Sequence, residues 1–126
     1  MHAVLAICFG ASLGALARWQ LGLWLSHSGA LIPWGTLVAN LIGGYLVGVC
    51  VGVFQQMPAL DPVWRLALVT GFLGALTTFS SFSAEVVALL QQSRYALALG
   101  TASMHLFGSL ALTLLGLRTV AAFWGR

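Results

Sequence analysis

Residues 71 to 85 run Gly-Phe-Leu-Gly-Ala-Leu-Thr-Thr-Phe-Ser-Ser-Phe-Ser-Ala-Glu, and five hydroxyl side chains fall within seven positions, at Thr77, Thr78, Ser80, Ser81 and Ser83. Set after two glycines in an apolar context, such a block can donate hydrogen bonds but has no base beside it to activate a nucleophile. If the backbone is helical beyond Thr77, then Thr78, Ser81, Phe82 and Glu85 follow an i, i+3, i+4, i+7 pattern and share one face, with Phe79 beside Phe82 on its edge. Phenyl rings have negative faces and positive edges, so ring edges favour an anion and ring faces a cation. Two phenylalanines packed in a core would show the same spacing. Hydroxyls that only bond carbonyls one turn back would bend a continuous helix. Five of them beside glycines point instead to an interruption that has a use.

A second polar row lies at Thr101, His105, Ser109 and Thr113, spaced by four residues, so it lines one side of a helix over three turns. Each member can donate a hydrogen bond, although His105 by itself is more simply a packed, neutral residue than a ligand. Asn40, four residues before Gly44, offers amide donors of the kind that commonly hold membrane helices together. Beside donor rows on two other segments, it reads as part of one polar path. A path of neutral donors with no carboxylate at its middle suits an anion stripped of water. It also argues against proton-coupled export, in which a buried carboxylate carries the proton. Arg18 is costly inside an apolar segment unless its long side chain reaches an interface, and Glu85 either pairs with it or faces a vestibule. There is no Ser/His/Asp set, metal-ligand cluster or phosphate-binding loop, so no enzyme is expected.

The elements that must carry these residues follow from composition. Of 126 residues, 60% are hydrophobic and only 6% charged, where a soluble domain draws about a quarter of its residues from Asp, Glu, Lys and Arg. Lipid is the expected solvent. A bilayer core about 30 Å thick needs roughly 20 mostly apolar residues per helix. Four segments satisfy that, over about residues 3–25, 33–54, 62–90 and 95–117. They predict an all-α membrane protein, a single transmembrane domain over 1–126, with four transmembrane helices and a broken third helix. Ser26-His27-Ser28-Gly29 forms a polar break after the first helix, Pro33 opens the second, and Asp61 is a plausible N-cap for the third. The N-terminal segment lacks a basic lead and a small-residue cleavage site, and reads as a retained span.

The five arginines are scattered near the ends of apolar runs, which excludes the basic stripe of a nucleic-acid binder. With an even number of spans, Arg65, Arg118 and Arg126 fall on one side and Arg18 and Arg94 toward the other, a split close to no bias. So balanced a count permits insertion in both orientations, and hence an antiparallel pair of identical chains, although a weak bias could equally fix one orientation. Gly10 and Gly14, and Gly44, Gly48 and Gly52, form rows of small residues that let helices approach closely, within one subunit or between two. Cys8 and Cys50 have no Cys or His companions and read as packing residues.

These residues resemble the fluoride channel family Fluc, also named CrcB. The likeness is carried by Gly35-Thr36-Leu37-Val38-Ala39-Asn40, by Arg18-Trp19, by Gly108-Ser109 and above all by the block from Gly71 to Glu85, and it extends over essentially the whole chain. The resemblance implies a dual-topology homodimer, assembled antiparallel in the cell inner (plasma) membrane, with two fluoride pores and a central structural sodium ion, Na+. It implies that Phe79 and Phe82 line the pores and that Asn40, Ser109 and Thr113 supply donors, with Thr78 and Ser81 on the same path. It also implies that backbone carbonyls of Gly74 and Thr77 from both subunits hold the sodium, and that Arg18 and Glu85 sit toward pore entrances. Ala75 stands where the family usually has the second glycine of a pair, an exchange expected to tighten the break. Ser81 stands in place of the usual threonine and keeps a hydroxyl. The expected activity is passive export of fluoride. Two other classes fit parts of the pattern. A small dual-topology multidrug exporter would need a carboxylate deep in the first span, which is absent here. A non-transporting assembly subunit would tolerate loss of the hydroxyls.

Overall fold

The computed structural model describes residues 1–26 and 29–125. His27 and Ser28 of the expected polar break, and Arg126 of the charge count, lie outside the described residues. Helices that are apolar on every side must be buried in protein or in lipid, and here most of that surface stays outward: Phe9 on the first helix, Leu99 and Phe107 on the last are all largely exposed. Four helices are long and apolar enough to cross a membrane, spanning His2–Leu25, Trp34–Gln56, Pro62–Gln91 and Tyr95–Trp124. The protein is a multi-pass membrane protein.

The first two crossings are single helices, α1 (His2–Leu25) and α2 (Trp34–Gln56). The third is composite. It starts as α3 (Pro62–Arg65), with Asp61 Oδ1 accepting from Val63 N–H at 3.0 Å, as an N-cap does. It then widens into a π-helical stretch over Leu66–Leu73 and tightens again in α4 (Gly74–Leu76). Thr77 and Thr78 are extended, at φ −85°, ψ 153° and φ −150°, ψ 115°, and α5 (Phe79–Gln91) resumes the helix. The last crossing, α6 (Tyr95–Trp124), runs past Leu117 to Trp124 as one helix.

Two tight helix pairs set the frame. α2 packs chiefly on α6, and α1 on the π-helical stretch. In both pairs glycines allow backbone-to-backbone approach. A β-carbon at Gly44 would lie 3.0 Å from Ser109 O, and one at Gly48 would collide with Thr113 O. Across the other pair, a β-carbon at Gly10 would collide with Ala67 O and one at Gly14 with Phe72 O. The small-residue rows therefore serve packing inside one chain. The innermost side chains, Ala39, Leu73 and Leu76, gather where α2 meets the first half of the third crossing.

Gly48→Val tests this frame. The branched side chain has no room against a backbone carbonyl, so α2 and α6 must separate, at a cost of about 3 kcal/mol from overpacking. A melting temperature in detergent equal to that of the unaltered protein would show that the helices are not held this closely.

Candidate functional site

The break is stabilised by side chains. In an unbroken α-helix the N–H of Thr78 would bond Gly74 O, and that of Ser81 would bond Thr77 O. Neither does. Thr78 N–H donates to Asn40 Oδ1 at 2.8 Å, and Ser81 N–H donates to Thr78 Oγ1 at 3.2 Å. The Gly74 and Thr77 carbonyls are thus deprived of their usual helical donors. Two neighbouring carbonyls are provided for: Leu73 O accepts from Thr77 N–H at 3.0 Å and from Thr77 Oγ1 at 2.8 Å, and Ala75 O accepts from Arg18 Nε at 3.0 Å.

Asn40 spans this break from α2. Its Nδ2 donates to Thr78 O at 3.1 Å while its Oδ1 holds Thr78 N–H, so one amide satisfies both backbone groups of an extended residue. The second Nδ2 hydrogen lies toward His105 Nδ1, 3.0 Å away. Both amide hydrogens are engaged, and an ion passing along this wall would have to compete for one of them. The imidazole of His105 in turn stacks on Phe82 with ring centroids 4.5 Å apart, and Phe82 meets Phe79 edge-on at 5.4 Å.

These groups line a groove of about 480 Å³ between α2, the third crossing and α6. Asn40, Gly74, Thr77, Thr78, Phe79, Phe82, Ser109 and Thr113 all border it, so most residues singled out by sequence are brought together along one wall. The groove is open on the side away from its own chain, and Phe79 there is 79% exposed. Thr113 Oγ1 donates to two carbonyls at once, Gly44 O at 2.8 Å and Ser109 O at 2.9 Å, which ties α6 to α2. Ser81 does not border the groove; it takes part in the break through its backbone N–H.

Arg18 and Glu85 do not border the groove, and each is bonded to a different partner. Arg18 was expected toward a pore entrance; its Nε donates to Ala75 O, within α4. Glu85 Oε1 accepts from Thr36 Oγ1 at 2.6 Å, and Oε2 is buried without a partner among the described residues. Glu85 borders a second cavity of about 390 Å³ with Arg94, between the α1–α2 connection and α5. Sequence reasoning missed Thr36 as the partner of Glu85 and His105 as the partner of both Asn40 and Phe82. The position of His105 in the four-residue polar row was the signal for the latter.

A crossing broken near its middle and stitched by a neighbouring amide fits the class of multi-pass membrane proteins, in which irregular backbone is tolerated only where protein or a cavity surrounds it. The particular family follows from comparison. Residues 5–117 match the family described as CrcB-like protein, Camphor Resistance (CrcB), and the chain belongs to it. A relative from Albidiferax ferrireducens named Fluoride-specific ion channel FluC is 74% identical over 119 residues, covering 94% of this chain and 91% of that one. Another of the same name, from Variovorax paradoxus, is 66% identical over 119 residues, covering 94% of each.

Proposed function

We propose that the chain is a fluoride-selective ion channel, not an enzyme, which lets cytoplasmic fluoride leave passively down its electrochemical gradient and so lowers its toxicity. The observation that carries this reading is the 74% identity, over 94% of the chain, to a protein named as a fluoride-specific channel. The groove supplies a physical basis. Fluoride is small and strongly hydrated, so a conducting path must replace lost water with closely spaced donors. The break turns the positive N-terminal end of α5 toward the groove, next to the rings of Phe79 and Phe82 and the hydroxyl of Ser109 on α6.

The finer parts of the reading are an antiparallel homodimer of dual topology, two pores, and placement in the cell inner membrane. The open side of the groove and the exposed Phe79 ring are supporting features, because a second copy laid against them would enclose a path that one chain leaves open. We place a structural sodium ion on the Gly74 and Thr77 carbonyls of both copies. The residues fit it: these carbonyls have lost their helical donors, and oxygen ligands suit a hard cation. No cluster of His, Cys, Asp or Glu able to hold a metal occurs among the described residues, so backbone oxygen is the ligand set on offer. Bound there, sodium would tie the two breaks together by charge.

Ion efflux from liposomes holding the purified protein tests the channel. Fast, uncoupled fluoride efflux that ignores chloride is expected. Flux that requires a proton gradient would sink the reading in favour of a coupled exporter. Accessibility of the C-terminus from both sides of the membrane is expected for dual topology, and labelling from one side alone would exclude it.

A further inference from the structure

The amide of Asn40 can be seated in only one sense. Thr78 N–H requires an acceptor and Thr78 O a donor, which places Oδ1 at 2.8 Å from the first and Nδ2 at 3.1 Å from the second. The remaining amide hydrogen is directed at His105 Nδ1, 3.0 Å away. An amide nitrogen only donates, so Nδ1 must be the accepting nitrogen, and the ring is then neutral with its proton on Nε2. The surroundings of Nε2 do not explain that choice, because Nε2 is buried with no partner among the described residues. The tautomer is imposed from the Asn40 side.

We propose that His105 is a positioning residue: as the neutral Nε2–H tautomer it accepts the second amide hydrogen of Asn40 and so fixes the amide that holds the break at Thr78. Three features make the imidazole suited to this task. It is only 5% exposed, so bulk water does not compete for Nδ1. It stacks on Phe82 at 4.5 Å and 38°, which restrains the plane of the ring and ties the amide to the aromatic wall. Turning the ring over would bring Cδ2–H against Nδ2 and forfeit the Asn40 bond. Thr101, one turn before His105, is fully buried and its hydroxyl is also without a partner among the described residues.

The proposal rests on the channel reading for its flux measurements alone. Nitrogen NMR of ¹⁵N-histidine-labelled protein in bilayers at neutral pH reads the tautomer directly. For His105 an unprotonated Nδ1 and a protonated Nε2 are expected, and a protonated Nδ1 would overturn the proposal whether or not fluoride is conducted. Asn40→Asp as the carboxylate removes both amide hydrogens and leaves only acceptors, so a proton should appear on His105 Nδ1, as the Nδ1–H tautomer or the imidazolium. An unprotonated Nδ1 retained in that variant would show that Asn40 does not set it. For flux, His105→Phe keeps a ring beside Phe82 but removes the acceptor, and efflux should fall roughly tenfold or more through misplacement of the path. His105→Gln, whose Oε1 can accept, should recover most of the rate. His105→Phe conducting like the unaltered protein, or His105→Gln as slow as His105→Phe, would overturn the positioning role. Should His105→Phe fail to fold, the labelled protein and Asn40→Asp still decide the matter.

Discussion

Asn40→Ala is expected to stop fluoride efflux and to lower stability together, because one side chain serves three groups at the break. The substitution leaves Thr78 N–H without an acceptor, Thr78 O without a donor and His105 Nδ1 without a donor. Unsatisfied polar groups of this kind cost about 1–3 kcal/mol each when fully buried. The three bonds are only part-buried, so a combined loss of about 3 kcal/mol is the reasonable expectation. Thr78 also caps α5 through its hydroxyl. Once its backbone is released, the first turn of α5 and the ring of Phe79 lose their fixed place beside the groove. Conduction should therefore drop by about two orders of magnitude, the scale on which small misplacements act. Asn40→Asp separates the two effects. It retains an acceptor for Thr78 N–H and should melt closer to the unaltered protein, yet it sets a negative charge on the wall and should conduct no better than Asn40→Ala. Thermal unfolding in detergent and liposome efflux measure the two quantities. Full-rate efflux from Asn40→Ala would remove this amide from the mechanism.

The crossings were legible because apolar length is a local property of sequence. The interruption was legible too, since hydroxyls crowded after Gly71 and Gly74 make a continuous, lipid-facing helix improbable. What stitches it was not. Asn40 reads equally well as a bridge between helices or as a donor to an ion, and the choice depends on Thr78, which is 38 residues away in the chain. Arg18 was ambiguous for the same reason: its partner is a backbone carbonyl, Ala75 O, and carbonyls leave no mark in a sequence. The π-helical stretch over Leu66–Leu73 also had no signal, because its one glycine, Gly71, fits a tightly packed α-helix just as well. Its widening coincides with the place where Gly71 lies against Ile7 of α1, with a would-be β-carbon only 2.7 Å from Ile7 O. Tertiary contact decides that geometry.

The residues that sequence grouped by function divide in the structure by what holds them. Thr78, Asn40 and His105 form a network that keeps the backbone open, Thr113 ties α6 to α2, and Phe79 and Phe82 supply surface to the groove. Removing a member of the first set should disturb fold and flux together. Removing a ring should disturb flux far more than fold.

Phe82→Ile puts that division to the test. Isoleucine is a branched apolar side chain of somewhat smaller size, so burial beside α6 is largely kept. What disappears is the aromatic character: the edge-on contact with Phe79 at 5.4 Å, the tilted contact with His105 at 4.5 Å, and the ring that borders the groove. Aromatic pairs contribute about 0.5–1.5 kcal/mol beyond the area they bury, so the stability loss should stay near 1 kcal/mol. An anion stripped of water, by contrast, loses a polarised C–H edge and meets an alkyl group that offers no comparable field. Efflux should fall by about two orders of magnitude or more, the consequence of removing a group that stabilises the ion where water is excluded. Phe79→Ile makes the useful comparison. Its ring is 79% exposed in the single chain, so its effect on the isolated fold should be nearly nil. Any loss of flux it causes would then come from the path itself, or from the second copy proposed to close over it. Assembly followed by crosslinking should be unaltered in both variants. If Phe82→Ile conducts as the unaltered protein does, the ring is a packing residue, and the anion must be held by the hydroxyls and amide alone.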